Sequence, residues 1–82
     1  MQIEYAYKAR ENLETLPKHI QRRIAAKMRF YASQENPLAF AKRLTDHREG
    51  EFRFRVGDWR IFFDVRKNRL HVLRISHRGS AY

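Results

Sequence analysis

Residues 52–63 read FRFRVGDWRIFF and consist of two runs of alternating side chains joined by Gly57-Asp58. The first run alternates between apolar and charged residues: Phe52, Arg53, Phe54, Arg55, Val56. A period of two is typical of a strand with one buried and one exposed face, and the run from Trp59 to Val65 continues it. Gly57-Asp58 predicts a tight turn, because glycine tolerates positive φ and aspartate tolerates it better than most residues. The stretch therefore predicts an antiparallel hairpin whose exposed face carries arginines.

Two further segments show strand-like patterns. Near the start, Ile3, Tyr5 and Tyr7 alternate with Gln2, Glu4 and Ala6, which predicts a short opening strand. After a second turn at Lys67-Asn68, residues 70–76 predict a third strand that continues the hairpin as a meander.

Between these strands the apolar spacing changes to three and four residues, the period of a helix. A brief helix from Ala9 ends at Pro17, which also opens the next helix, since proline costs little at the first helical position. The longer apolar stripe predicts an amphipathic helix of about four turns and consists of Ile20, Ile24, Met28 and Tyr31. Asn36-Pro37 predicts a short third helix, which would carry Leu38, Phe40, Ala41 and Leu44.

The predicted order is strand, two helices, a short third helix and three strands. A chain of 82 residues has room for one modest core, and no repeat or second domain is visible. We therefore predict a single α+β domain over residues 1–82, with an antiparallel four-stranded sheet and helices packed on one face.

The composition is strongly basic, with 18 Lys and Arg against 9 Asp and Glu and a formal net charge of +9. Such a charge attracts polyanions and favours nucleic acid as the partner, although an anionic membrane surface or an acidic protein segment would satisfy it equally. Hydrophobic residues make up 43% of the chain, which argues against disorder.

Several classes of site and location are disfavoured. The chain has no cysteine, so it has neither a disulfide framework nor a thiolate metal site. His19, His47 and His71 show no metal-ligand spacing, and we predict no metal and no cofactor. Residues 1–7 do not resemble an export signal and no apolar run approaches membrane-spanning length, so we expect a cytoplasmic protein without a membrane partner.

Three arginines of the predicted hairpin share its exposed face: Arg53, Arg55 and Arg60. Side chains on one face of an antiparallel pair lie about 5 Å apart when directly opposed and about 7–8 Å apart on the diagonal. Guanidinium binds phosphate bidentately and keeps its proton. One such arginine alone is usually just solvated, but three on one face predict a phosphate-binding surface.

The chain finishes His77-Arg78-Gly79-Ser80-Ala81-Tyr82, which places an imidazole, a guanidinium and a phenol within six residues. RNA cleavage needs a proton taken from the 2′-hydroxyl, charge stabilisation at phosphorus and a proton given to the leaving 5′-oxygen. Histidine is the residue type whose unperturbed pKa permits proton transfer near neutrality, so His77 is the candidate for proton transfer. Arg78 can stabilise phosphoryl charge, and Tyr82 can stack on a base, orient the 2′-hydroxyl or donate a proton. Glu51 is an alternative general base. A histidine and a tyrosine near a chain end also commonly have structural roles only.

The sequence resembles the RelE/ParE toxin superfamily in two stretches taken together, residues 52–63 and the ending from His77 to Tyr82. Leu16-Pro17 before the long helix and Asn36-Pro37 before the short one agree as well, so the likeness covers essentially the whole chain. The resemblance implies a microbial RNase-like fold and a type II toxin that cleaves mRNA, usually in the ribosomal A site, and so inhibits translation. It also implies a cognate acidic antitoxin that forms a hetero-oligomer with the toxin.

The resemblance also implies roles for individual residues. Phosphate and transition-state contacts fall to Arg53, Arg55, Arg60 and Arg78. Proton transfer or substrate orientation falls to His77 and Tyr82, with Glu51 a secondary candidate base, because this chain lacks the lysines that some members carry before the hairpin.

Two alternative functions stay open. Some members of the superfamily inhibit DNA gyrase and generally lack the nuclease residues, so the presence of His77, Arg78 and Tyr82 favours endoribonuclease. A plain nucleic-acid-binding module would show salt-dependent binding without toxicity.

Overall fold

The computed structural model describes residues 1–79, so Tyr82 lies outside the described residues. The elements are β1 Gln2–Tyr5, α1 Tyr7–Glu14, α2 Lys18–Ser33, a 3-10 helix Pro37–Phe40, β2 Lys42–Arg43, β3 Phe52–Val56, β4 Trp59–Arg66 and β5 Arg69–His77. They form a small single α+β domain with the sheet order β1-β5-β4-β3-β2. The predicted fold class is confirmed.

Two details of the sheet differ from the prediction of four antiparallel strands. The sheet has five strands, because Lys42–Arg43 pairs with β3, and a two-residue strand is too short to produce an alternating pattern. In addition, β1 runs parallel to β5, with Gln2 opposite Arg69 and Tyr5 opposite Val72. The period of two identifies a strand but carries no information about the direction of its partner.

The helices begin and end close to where the proline positions predict. α2 starts at Lys18, directly after Pro17, and runs 16 residues to Ser33. The third helix is a single 3-10 turn that ends at Phe40. It does not include Ala41 and Leu44, because the backbone is already extended at Ala41 and then pairs with β3.

One face of the sheet packs against the helices and forms the core; we call it the covered face. Phe54 and Phe63 stack at 4.3 Å between ring centroids, and Tyr31 of α2 stacks on Phe54 at the same distance. Burying a large apolar side chain contributes about 1.5–3 kcal/mol, so these rings are a major source of stability. The other fully buried large side chains are Ile24, Met28, Val56, Ile61, Leu70 and Val72.

Within residues 1–79, no helix is both long enough and apolar enough to cross a membrane.

Candidate nucleic-acid interface

The opposite side of the sheet, which we call the open face, carries the residues that alternate with the core. Cross-strand pairing arranges them in rows, because directly opposed residues point to the same side. One row consists of Lys42, Arg53, Phe62 and Arg74. The next consists of Arg55, Arg60 and Ser76. The structure therefore brings Arg53, Arg55 and Arg60 together on one face, as predicted.

Arg55 and Arg60 are directly opposed, an arrangement that is destabilising for like charges. No carboxylate within residues 1–79 lies at ion-pair distance from Arg55. The backbone beneath Arg55 is fixed from the other side of the sheet, because the Tyr31 hydroxyl donates a hydrogen bond to its carbonyl oxygen at 3.3 Å. Burial raises the pKa of Tyr31, which keeps this donor protonated. The pair is thus held in place despite its repulsion.

Two polar atoms near this pair are buried without a hydrogen-bond partner among the described residues: Arg53 Nε and Ser76 Oγ. An unsatisfied buried donor or acceptor costs about 1–3 kcal/mol. Such atoms in a native structure commonly mark a ligand site or a functional strain. Ser76 is directly opposed to Arg60, and Arg53 precedes Arg55 by two residues on β3, so both atoms border the pair, which is consistent with an anionic ligand binding here.

Phe62 and Arg74 belong to the open face and were not predicted. Phe62 is only 2% exposed although it lies outside the main core. The Arg74 guanidinium lies over its ring, 5.3 Å from the centroid. Arg74 reaches this position because the register shifts between Phe62 and Phe63, which leaves Leu73 as the extra residue of a β-bulge.

The same bulge moves His77 to the other side of the sheet. His77 pairs with Trp59, a covered-face residue, and the two rings meet edge to face at 4.9 Å. The Gly79 N–H donates to His77 Nδ1 at 3.2 Å, so the neutral ring carries its proton on Nε2. The structure therefore does not place His77 beside Arg55 and Arg60; it lies across the end of the sheet from them.

Arg78 lies at the tip of the hairpin. Its backbone N–H donates to the Asp58 carbonyl oxygen at 2.6 Å, and its guanidinium, with a side chain 57% exposed, is 3.9 Å from the Asp58 carboxylate. Gly57 has φ +59°, and a Cβ there would lie 2.8 Å from the Arg23 guanidinium of α2. The hairpin turn thus lies close to Arg23 at Gly57 and to Arg78 at Asp58, and no strand pattern could have indicated Arg23.

Glu51 lies at the far end of β3 and is engaged by the backbone of β4. Its carboxylate accepts a hydrogen bond from the Val65 N–H at 3.2 Å, and its own N–H donates to Asp64 at 2.8 Å. Glu51 precedes Arg55 by four positions, which span about 13 Å of strand at about 3.3 Å per residue. The structure therefore separates Glu51 from the central arginines.

A second titratable group on the open face lies at the β1 edge. Glu4 Oε1 is 2.7 Å from His71 Nδ1 and Glu4 Oε2 is 3.3 Å from Arg69. The hydrogen bond from His71 is the main reason that the pKa of Glu4 falls below its ordinary value. In the part of the chain that the structure describes, His, Asp and Glu side chains form no group of three suited to a metal ion.

Comparisons with known proteins identify the family and the fold. The model of the family described as "ParE toxin of type II toxin-antitoxin system, parDE" matches residues 3–82. The fold is similar to that in the toxin–antitoxin complex RelBE2 from Mycobacterium tuberculosis, with a TM-score of 0.75, 25% identity and coverage of 94% of this chain and 96% of that one. It is also similar to that in the archaeal RelE–RelB complex from Pyrococcus horikoshii OT3, with a TM-score of 0.73, 22% identity and coverage of 98% and 97%. A search of curated proteins found no match.

The fold and the sequence define a RelE/ParE-type toxin, so the predicted superfamily is confirmed. The chain belongs to the family of ParE toxins of type II toxin–antitoxin systems.

Proposed function

We propose that this toxin is an endoribonuclease that cleaves mRNA by attack of a 2′-hydroxyl on the adjacent phosphate, without a metal ion. The observation that carries the proposal is the Arg55–Arg60 pair, two directly opposed guanidinium groups on an arginine-rich open face. A phosphate between them would offset their repulsion, and the charge that develops on phosphorus would strengthen the contact in the transition state.

In this proposal, proton transfer is carried out by the last residue of β5 and the segment that follows it. His77 and Arg78 lie at the hairpin end of the sheet, adjacent to the row that holds Arg60. A strand of RNA that crosses this end would meet Arg60 on one side and His77 on the other. Tyr82 completes the proposed set, and Glu51 is retained as an alternative base whose present contacts would have to open.

The proposed partners are mRNA, bound in the ribosomal A site in the cytoplasm, and an antitoxin. Both solved structures named above are complexes of a toxin with its antitoxin. A net charge of +9 calls for an acidic antitoxin, which would block the toxin by covering the open face or by packing along the helices.

The test is cleavage of a defined mRNA by purified toxin in the presence of translating ribosomes, with cut sites mapped by primer extension. We expect discrete cuts. They should persist when the toxin has been treated with EDTA before it is added to intact ribosomes. Arg78→Ala should abolish the cuts with no change in the thermal unfolding midpoint. Intact mRNA at toxin concentrations that arrest growth would refute the proposal.

The alternative is a toxin that inhibits DNA gyrase without cleaving RNA. Two observations favour it: the matching family model is that of ParE toxins, and α2 carries five cationic side chains and no carboxylate. Inhibition of gyrase supercoiling by toxin that leaves mRNA intact would establish this alternative.

A further inference from the structure

A cleft of about 550 Å³ opens on the sheet, and Lys42 and Arg74 in its wall belong to the row next to the Arg55–Arg60 pair. It lies between β2, the connection that leads from β2 to β3, and Arg74 of β5. Lys42, in its wall, is directly opposed to Arg53, which precedes Arg55 by two residues on β3. Two residues of strand span about 7 Å, so the cleft lies within one nucleotide's reach of the arginine pair.

The charge in this cleft favours an anion. Both carboxylates in its wall are already neutralised: Asp46 by Arg48 and Glu49 by Arg74, each at 2.6 Å. Lys42 has no carboxylate at ion-pair distance among residues 1–79. The Arg48 contact holds the pKa of Asp46 at about 2, so Asp46 stays ionised and paired with Arg48 at neutral pH.

The cleft also offers a flat group and a hydroxyl. The Arg74 side chain is 33% exposed. Its guanidinium lies in the cleft wall above Phe62 with Nε and Nη2 buried, so a base can reach only the exposed remainder of the group. Guanidinium planes stack on nucleobases that are not paired. Thr45, also in the wall, supplies a hydroxyl that can donate to or accept from a base edge or a ribose.

We infer that this cleft binds one nucleotide of single-stranded RNA, the neighbour of the nucleotide whose phosphate the Arg55–Arg60 pair holds. The inference rests on the proposed RNA substrate and adds a subsite to it: Lys42 contacts the phosphate, Arg74 stacks on the base, and Thr45 contacts the base edge or the sugar. The cleft is built mainly by the segment after the 3-10 helix. The side chains of this segment therefore select the bound nucleotide, whereas the arginine pair acts on the scissile phosphate.

The experiment compares binding of two RNA probes, a dinucleotide and a hexanucleotide, both fully 2′-O-methylated so that they cannot be cleaved. Affinity is measured over a range of salt for the wild-type toxin, Lys42→Gln and the control Lys67→Gln. Lys67 lies in the turn between β4 and β5, does not belong to the cleft wall, and also has no ion pair among residues 1–79.

For the hexanucleotide, Lys42→Gln should reduce the slope of log affinity against log salt by about 0.7, the value for one lost phosphate contact in a single strand. The dinucleotide, held by the arginine pair alone, should show no such change, and Lys67→Gln should match the wild type with both probes. Arg74→Lys, which keeps the charge but removes the plane, should reduce differences in affinity among hexanucleotides of different sequence.

The failures are distinguishable. If the hexanucleotide binds and Lys42→Gln leaves its slope unchanged, the cleft inference is wrong while RNA cleavage stands. If neither probe binds and ribosome-bound mRNA stays intact, the proposed function fails with it. If Lys42→Gln weakens only the binding of the acidic antitoxin, the cleft is a protein-binding site and the inference is overturned.

Discussion

The two faces of the sheet are built from the same strands but differ in the side chains that they bring together: apolar on the covered face and largely charged on the open face. On the covered face, Phe54, Ile61 and Phe63 are fully buried and belong to one apolar cluster with residues of α2. On the open face, Arg55 is opposed to Arg60 and Arg53 to Phe62. The covered face stabilises the fold, whereas the open face places two like charges directly opposite each other, an arrangement that costs stability. This difference agrees with the anionic ligand proposed for the open face.

Within the open face, a second arginine pair gives an internal control. Arg66 is directly opposed to Arg69, but these two contact Asp64 and Glu4 at 3.4 and 3.3 Å. At that end of the sheet, the charge is balanced by the protein itself. Arg55 has no such carboxylate within the described residues, so the two ends differ in what they leave for an external anion.

The largest effect is expected on the covered face. Phe63→Ala should lower the free energy of unfolding by about 3–5 kcal/mol, since it removes a fully buried ring from the stacked core. Urea denaturation would measure the loss, and Phe40→Ala, whose ring is 47% exposed, is the matched control with a clearly smaller loss. Equal losses in both variants would show that the covered face does not dominate stability.

The next effect is on activity. Arg60→Ala should lower the rate of mRNA cleavage about 10²–10³-fold, the usual cost of removing one group that stabilises transition-state charge. The unfolding midpoint should change little. Arg66→Ala, at the balanced end of the sheet, is the control and should retain cleavage; loss of cleavage in Arg66→Ala as well would place the reaction elsewhere on the open face.

A smaller effect sharpens the contrast between stability and function. Arg55→Gln should stabilise the fold by about 0.2–1 kcal/mol because it removes a directly opposed like charge, yet it should weaken RNA binding. Chemical denaturation and a binding titration on the same variant would measure the two. A variant that loses both stability and binding would indicate that Arg55 has a structural role.

The smallest effect concerns acid stability at the β1 edge. The pKa of Glu4 is lowered in the folded chain, so its contribution to stability is present above pH 4.5 and is lost as the pH falls through the lowered pKa. Glu4→Gln should therefore make the dependence of the unfolding midpoint on pH shallower below about pH 4.5 and leave it unchanged near neutrality. An identical acid profile for both proteins would contradict the Glu4–His71 interaction.

The sequence predicted the hairpin well because each of its features is local. The alternation around Phe54 and the turn at Gly57-Asp58 depend on neighbours in the chain, and β3 and β4 lie as predicted. The direction of β1 depends on a partner 67 residues away, and β2 is too short to have a period. Long-range pairing is therefore the part of the fold that the pattern left open.

The candidate site was predicted in part for a related reason. Arg53, Arg55 and Arg60 lie on β3 and β4, which pair without a register shift. Their side chains therefore alternate between the two faces as the sequence pattern predicts. Strict alternation would have placed His77 on the open face; the extra residue Leu73 reverses the parity, so Arg74 appears there instead. The bulge at Leu73 thus places Arg74 on the open face and His77 on the covered face. No local feature of the sequence indicates this bulge.

The parallel pairing of β1 with β5 has a consequence for synthesis. Gln2–Tyr5 are made before Arg69–Val72 and have no partner until those residues follow, so the sheet cannot close before β5 has been made. Closure over so long a separation in sequence is slow. A nascent copy therefore lacks the finished sheet, and with it the complete open face, until β5 has been made.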